Sequence, residues 1–319
     1  MTRWRAILRP NRIELLAAAV LGVLMVAVAG SVAARLSMFD IPAACFGPSS
    51  GDGTACAPFQ GEMFAYGEFS GSFAPAAGVT TLIVPLLAAM VLGLAVVGRE
   101  LEQQTTNFAW SVAPSRARWL GSRLLPVLIL LLGVGLIGGF LGDVLEGFRS
   151  PYVDAWRNFN GLGLRGPAIA GAGLLVFGLS LLVGSLVGRQ LPALLISGAL
   201  VGAAVFGTNA VTEAWLQGDA VVAAYKEVDL GARYLDSLVR TAAGEVMSWE
   251  QAYARFGSEV DSIGTDEMGT GPNGLIVVTR YVPGERYPIA VARLTGLLGF
   301  VGVLATALTF AVVHRRRPY

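Results

Sequence analysis

The chain has 319 residues, 54% hydrophobic and only 14% charged, with a net charge of +1 and a mean hydropathy of +0.63. An ordinary soluble domain carries about 25% charged residues, and the gathering of the apolar residues into long unbroken blocks argues against a soluble core; a nucleic-acid partner selects a marked basic excess, which the net charge lacks. Many of the 41 glycines sit inside apolar blocks, as in Leu132-Gly133-Val134-Gly135. Such glycines weaken a soluble helix but let membrane helices approach closely. The 22 arginines against the single Lys226 fit a GC-rich bacterial genome.

About 20 apolar residues cross a hydrocarbon core of roughly 30 Å. Six blocks qualify in chain order: 13–34, 76–97, 124–142, 167–187, 193–212 and 289–313. Only Glu14 and Arg293 are charged within them, each near an end. The first run, about 22 residues, exceeds the 7–15-residue core of a signal peptide and is expected to be retained. Placing the N-terminus inside puts twelve arginines in the inner segments, including Arg3, Arg99, Arg123, Arg189 and Arg316, against the acids Glu14, Glu100 and Glu102. Positive charge stays on the cytoplasmic side, so both termini are expected in the cytoplasm of a bacterial cytoplasmic membrane.

With that orientation Cys45 and Cys56, the only cysteines, share the outer loop 35–75. An oxidising compartment favours a bridge; the alternative is two free thiols in a Gly-rich loop. A second outer segment, 143–166, carries Tyr152, Trp156 and Phe159 as interface anchors. The third, 213–287, is long enough for a small domain. Residues 232–243 and 248–256 read as helices and 275–282 as a strand. A structured cap, a gate, a partner surface and a substrate grip all remain open for it.

The inner loop 98–123 reads as a short helix over 100–112, ended by Pro114. Leu101, Thr105, Phe108 and Val112 share one face. A surface helix and a docking helix for a cytoplasmic partner are both compatible with this. The basic, aromatic run from Ser115 through Trp119 suits an interfacial approach to the third span.

The run Glu100-Leu-Glu102-Gln-Gln-Thr105, Ala109-Trp110-Ser111, Pro114-Ser115-Arg116-x-Arg118-Trp119-Leu120, with a basic residue before the next span, resembles ABC-2-type transporter permeases. Together with Tyr281-x-Pro283-x-x-Arg286-Tyr287 it is similar to their actinobacterial branch. Gln104 and Arg123 depart from the Gly and Lys common at those places, and leave the expected helix and charge intact. The resemblance implies that the segment between spans two and three is a coupling helix seated in an ATPase subunit. Its candidate contacts are Glu100, Glu102, Thr105, Phe108, Trp110, Pro114 and Arg116. The inner turn at Arg189 and Gln190 is a second, smaller candidate contact, although Arg189 also follows from the positive-inside rule.

The chemistry of other classes is missing from the sequence. No Gly-x-x-x-x-Gly-Lys-Ser/Thr phosphate loop occurs, so ATP and Mg are expected in a separate ATPase chain and no cofactor in this one. Intramembrane hydrolysis needs a nucleophile with a base or paired acids. The single His314 lies beside arginines, and Asp143 and Glu146 lie at the outer boundary. An ion-coupled carrier places ionisable groups near the midplane, and these spans are almost bare of them. Arg293 is expected to snorkel to the headgroups, pair with an acid such as Asp143 or meet an anionic cargo. With Arg286 and Tyr287 it is the candidate for a pathway or gate.

The expected architecture is an all-α, six-span membrane protein. It comprises 1–212 with five spans, a small α-rich (α+β) outer domain at 213–287, and the sixth span with a basic tail at 288–319. The expected function is the permease half of an exporter. It would pair with a second copy or a related permease and with ABC ATPase subunits; the competing class is a membrane sensor or scaffold.

Overall fold

A computed structural model describes residues 12–46, 56–103, 115–224, 228–263 and 274–315. Its elements in chain order are α1 (Arg12–Leu36), α2 (Gln60–Glu102), α3 (Arg116–Arg149), α4 (Ala168–Val187) and α5 (Gln190–Gly218), then β1 (Val221–Ala224), β2 (Arg233–Arg240), β3 (Val246–Met247), α6 (Trp249–Phe256), β4 (Ile276–Val282) and α7 (Tyr287–Arg315). All but α6 of the helices are long and apolar enough to cross a membrane, and they are the six expected spans. In lipid a helix satisfies its own backbone, so unbroken apolar runs settle these elements. Three helices clearly overrun their expected ends. α2 begins at Gln60, inside the segment read as loop 35–75, α3 continues from 142 to Arg149, and α5 continues from 212 to Gly218.

The chain divides into two compact units. One is Met1–Tyr152, Gly161–Asn209 and Val291–Tyr319; the other is Val153–Asn160 and Ala210–Ala290. In the first, α4 is the central helix, with 72% of its most apolar window buried against 11% for α5. The main core gathers Ala89, Leu92 and Val96 of α2, Leu120, Leu124 and Val127 of α3, Phe177 and Leu181 of α4, and Val313 of α7. α4 and α7 touch backbone to backbone: a Cβ on Gly178 would collide with the Gly302 carbonyl oxygen.

The N-terminal extension of α2 is held by packing rather than propensity. Tyr66, Ala74 and Ala77 face Ala29, Val32, Leu36 and Leu145. The Tyr66 hydroxyl donates to the Phe148 carbonyl, and Phe39 and Phe46 pack on its ring. Cys45 and Cys56 are bridged, with Cα atoms 5.6 Å apart, just before this extension begins. Closing so short a loop contributes roughly 3 kcal/mol by the chain-entropy argument.

Asp143 does not pair with Arg293. Its Oδ1 accepts from Arg165 Nη1 at 2.8 Å, and the Arg165 side chain is 3% exposed. Arg165 reaches it because the turn at 161–166 lies flat against α3. The Gly166 N–H donates to the Gly139 carbonyl at 3.0 Å, where a side chain on Gly139 would collide with Gly166. Gly166, at φ +65°, supplies the left-handed corner.

The second unit carries a four-stranded antiparallel sheet in the order β1-β4-β2-β3. Helix α6 and the following turn cover one face through Val239, Met247, Ala252, Val260, Ile263 and Leu275. Ser248 and Gln251 form a reciprocal capping box at the start of α6. The Tyr253 phenol donates to Asp261 Oδ1 at 2.5 Å, and that hydrogen bond holds its pKa above the ordinary 10.0. Helix 248–256 and strand 275–282 lie where expected. Residues 232–243 do not form a helix: β2 runs through them, paired with β4 from Arg233↔Val282 to Arg240↔Ile276. The segment 153–160 belongs to this unit; Phe159 donates its N–H to the Gly231 carbonyl at 2.9 Å and packs edge-on against Tyr287.

Candidate functional site

The candidate contacts that are described gather at one end of the first unit, where α2 stops and α3 starts. Ser115 caps α3 by accepting from the Arg118 N–H at 3.2 Å. This fixes the first turns of α3, and with them Arg116, Trp119 and Arg123, beside the last turn of α2.

Glu100 Oε1 is ion-paired with Arg123 Nη1, both side chains only 14% exposed. The Arg123 guanidinium also lies over the Trp119 ring, 4.7 Å from its centroid, a cation–π arrangement. Glu100 therefore points into the helix pair, where it clamps α2 to α3. Two residues later Glu102 is exposed, and its Oε2 accepts from the Gln190 N–H at 3.4 Å. Gln190 opens α5, so this N–H is one of the four that a helix start leaves without an internal partner. A carboxylate there also meets the positive end of the helix dipole.

The sharp turn into α5 is made by Gly188, left-handed at φ +69°, whose N–H closes on the Gly184 carbonyl at 3.1 Å. The exposed Arg189 follows it. Arg116 reaches across to the last helix, donating from Nη1 to the carbonyls of Val313 at 3.4 Å and His314 at 3.2 Å. These are two of the carbonyls that the end of α7 leaves open. Val313 is 2% exposed and packs in the same core as Trp119 and Leu120.

Glu100, Glu102, Arg116, Arg189 and Gln190 are thus brought to one end of the bundle. Thr105, Phe108, Trp110 and Pro114, with most of the helix expected over 100–112, lie outside the described residues; Glu100 and Glu102 themselves complete α2. The residues named for a pathway do not join this cluster. Arg293 is exposed on α7, Arg286 is exposed just before it, and Tyr287 is buried at 1% exposure against Phe159. Among the described residues no three His, Cys, Asp or Glu side chains converge as a metal site. An apolar hollow of about 280 Å³ opens between α1 and α3, lined by Val23, Met25, Leu130 and Val134 among others.

Sequence reasoning missed two features of this end. Arg123 was visible as a basic residue before a span, but its partner Glu100 is 23 positions away. The acceptors for Arg116 are main-chain carbonyls almost 200 residues downstream, which leave no mark on side-chain patterns.

No curated protein and no solved structure shows a significant match to the chain. The profile of the family described as "ABC-2 membrane transporter related" matches residues 15–213. That stretch runs from α1 into α5, contains the whole cluster except the end of α7, and covers more than half of the 319 residues. A multi-pass bundle of six apolar helices and a family profile spanning five of them give one answer: the chain belongs to the ABC-2 membrane transporter related family.

Proposed function

We propose that this ABC-transporter permease works as an exporter: two permease chains form the pathway, and separate ATPase subunits, which hold ATP and Mg, dock on the cytoplasmic end. The observation that carries this reading is the convergence of Glu100, Glu102, Arg116 and Gln190 around the connection between α2 and α3. That connection is where family resemblance places the coupling helix. Glu100 and Arg116 serve coupling from within, since their charged groups are engaged with Arg123 and with the end of α7. Docking falls to Arg189 and to Thr105, Phe108 and Trp110 in the connection itself. The arginine distribution supports cytoplasmic termini and a second unit on the outer side.

Mild-detergent purification of the tagged chain, followed by identification of what accompanies it and an ATP hydrolysis assay, tests the reading. A stoichiometric ATPase is expected, lost or uncoupled in Phe108→Ala/Trp110→Ala with the permease still folded. A chain that purifies alone, or only with a signalling protein, would replace this reading with the sensor or scaffold class.

A further inference from the structure

We propose that Glu102 and Arg116 are positioning residues that divide the movement of the α2–α3 connection between two other helices, Glu102 passing it to α5 and Arg116 to α7. The inference rests on the coupling role proposed for that connection. Glu102 is the last residue of α2 and Arg116 the first of α3, so they are the two anchors of the connection. Each holds the open end of a different helix. Glu102 accepts from the first N–H of α5, and Arg116 donates to two terminal carbonyls of α7.

The charges match the helix ends they meet, acid on a positive N-terminus and base on a negative C-terminus. These are directional bonds to main-chain groups, which move only when the helix moves. Beneath them, Glu100 and Arg123 lock α2 to α3. A displacement of the connection therefore reaches α2 and α3 as one body, and beside the shared apolar core Glu102 and Arg116 pass it by hydrogen bonds to the ends of α5 and α7.

The link to α5 carries the greater weight. α5 is the least packed of the six spans, and its exposed Leu191, Leu195 and Phe206 show how little of it is held by this chain. The Glu102 contact is thus a polar handle on the start of α5, beside the packing of Ala193 against Leu94 and Val183. α7, by contrast, is also gripped by α4 at Gly178 and Gly302, so Arg116 acts at its end rather than along its length. Exposed Arg189 lies beside Gln190 in the same turn and is available to a partner without breaking the Glu102 bond.

The test uses the full chain purified with its ATPase in lipid nanodiscs. Both native cysteines are bridged, so introduced thiols take spin labels selectively. One pair, Ile129→Cys with Leu195→Cys, reports α5 against α3. The other, Ile129→Cys with Leu308→Cys, reports α7 against α3. All three positions are exposed. Distances are measured without nucleotide and with ATP and vanadate.

Both pairs are expected to shift in the parent chain. Glu102→Ala is expected to abolish the α5 shift and keep the α7 shift; Arg116→Ala does the reverse, and Arg116→Lys restores the α7 shift. If Arg116→Ala fails to assemble, Arg116→Met, which keeps the packing of the stem and carries no donor, takes its place. Shifts that persist in both variants, or vanish together in each, overturn the division of roles. Absence of any shift in the parent chain, with the ATPase bound and hydrolysing, overturns the coupling reading itself and this inference with it.

Discussion

Asp143 and Arg165 show what a single residue can hide. Both were legible as charges beside a span, and Asp143 was expected to meet Arg293, one possibility among several. The actual partner lies 22 residues along, brought in by a turn whose glycines carry no charge signal. Arg165 is almost fully buried, so removing either member strands the other in a poorly solvated place. Breaking a buried pair costs about 3–5 kcal/mol, whereas replacing both members by apolar groups is often neutral. Arg165→Leu is therefore expected to lower detergent thermal stability by an amount of that order, and Asp143→Leu/Arg165→Leu to recover most of it. A double variant no better than Arg165→Leu would show that the pair does not act as a unit. The two cysteines were easier to read. They are the only pair available, a short loop separates them, and the bridge is present.

At the scale of elements, the spans were legible because lipid leaves the backbone no choice but to satisfy itself. Their ends were not. Gly61, Gly67 and Gly71 argue against helix on propensity, and α2 begins at Gln60 because Tyr66, Ala74 and Ala77 have a surface to pack on. Residues 232–243 read as a helix for a related reason: pairing with β4 across a register shift, which the local sequence does not show, decides the conformation of β2. Helix contact makes a sharper prediction. A Cβ on Gly302 would collide with the Leu174 carbonyl group, while Gly296 on the same helix has nothing within 4 Å. Gly302→Ala is expected to part α4 from α7 and cost about 1–3 kcal/mol, with Gly296→Ala as the silent control in the same thermal assay. Equal midpoints would mean the two helices slide apart without strain.

For the whole molecule, family membership rests on the first five spans and leaves the second unit to be read from its own residues. The arginine bias makes a prediction about both faces. In intact cells Tyr253→Cys is expected to react with a membrane-impermeant maleimide, and Arg189→Cys only after the cells are opened; the reverse pattern would invert the topology. Cargo was not legible, because spans almost bare of charge carry no signature of what they would recognise. The length of α2 has a further mechanical meaning. At 1.5 Å per residue its 43 residues make a rod roughly 64 Å long, about twice the hydrocarbon thickness. One end carries Glu100 and Glu102; the other begins just after the Cys45–Cys56 bridge. A tilt of only about 5° about one end would swing the other by nearly 6 Å on that geometry, so α2 is a lever, and Pro75 and Pro85 within it are the places where the lever can flex and lose throw.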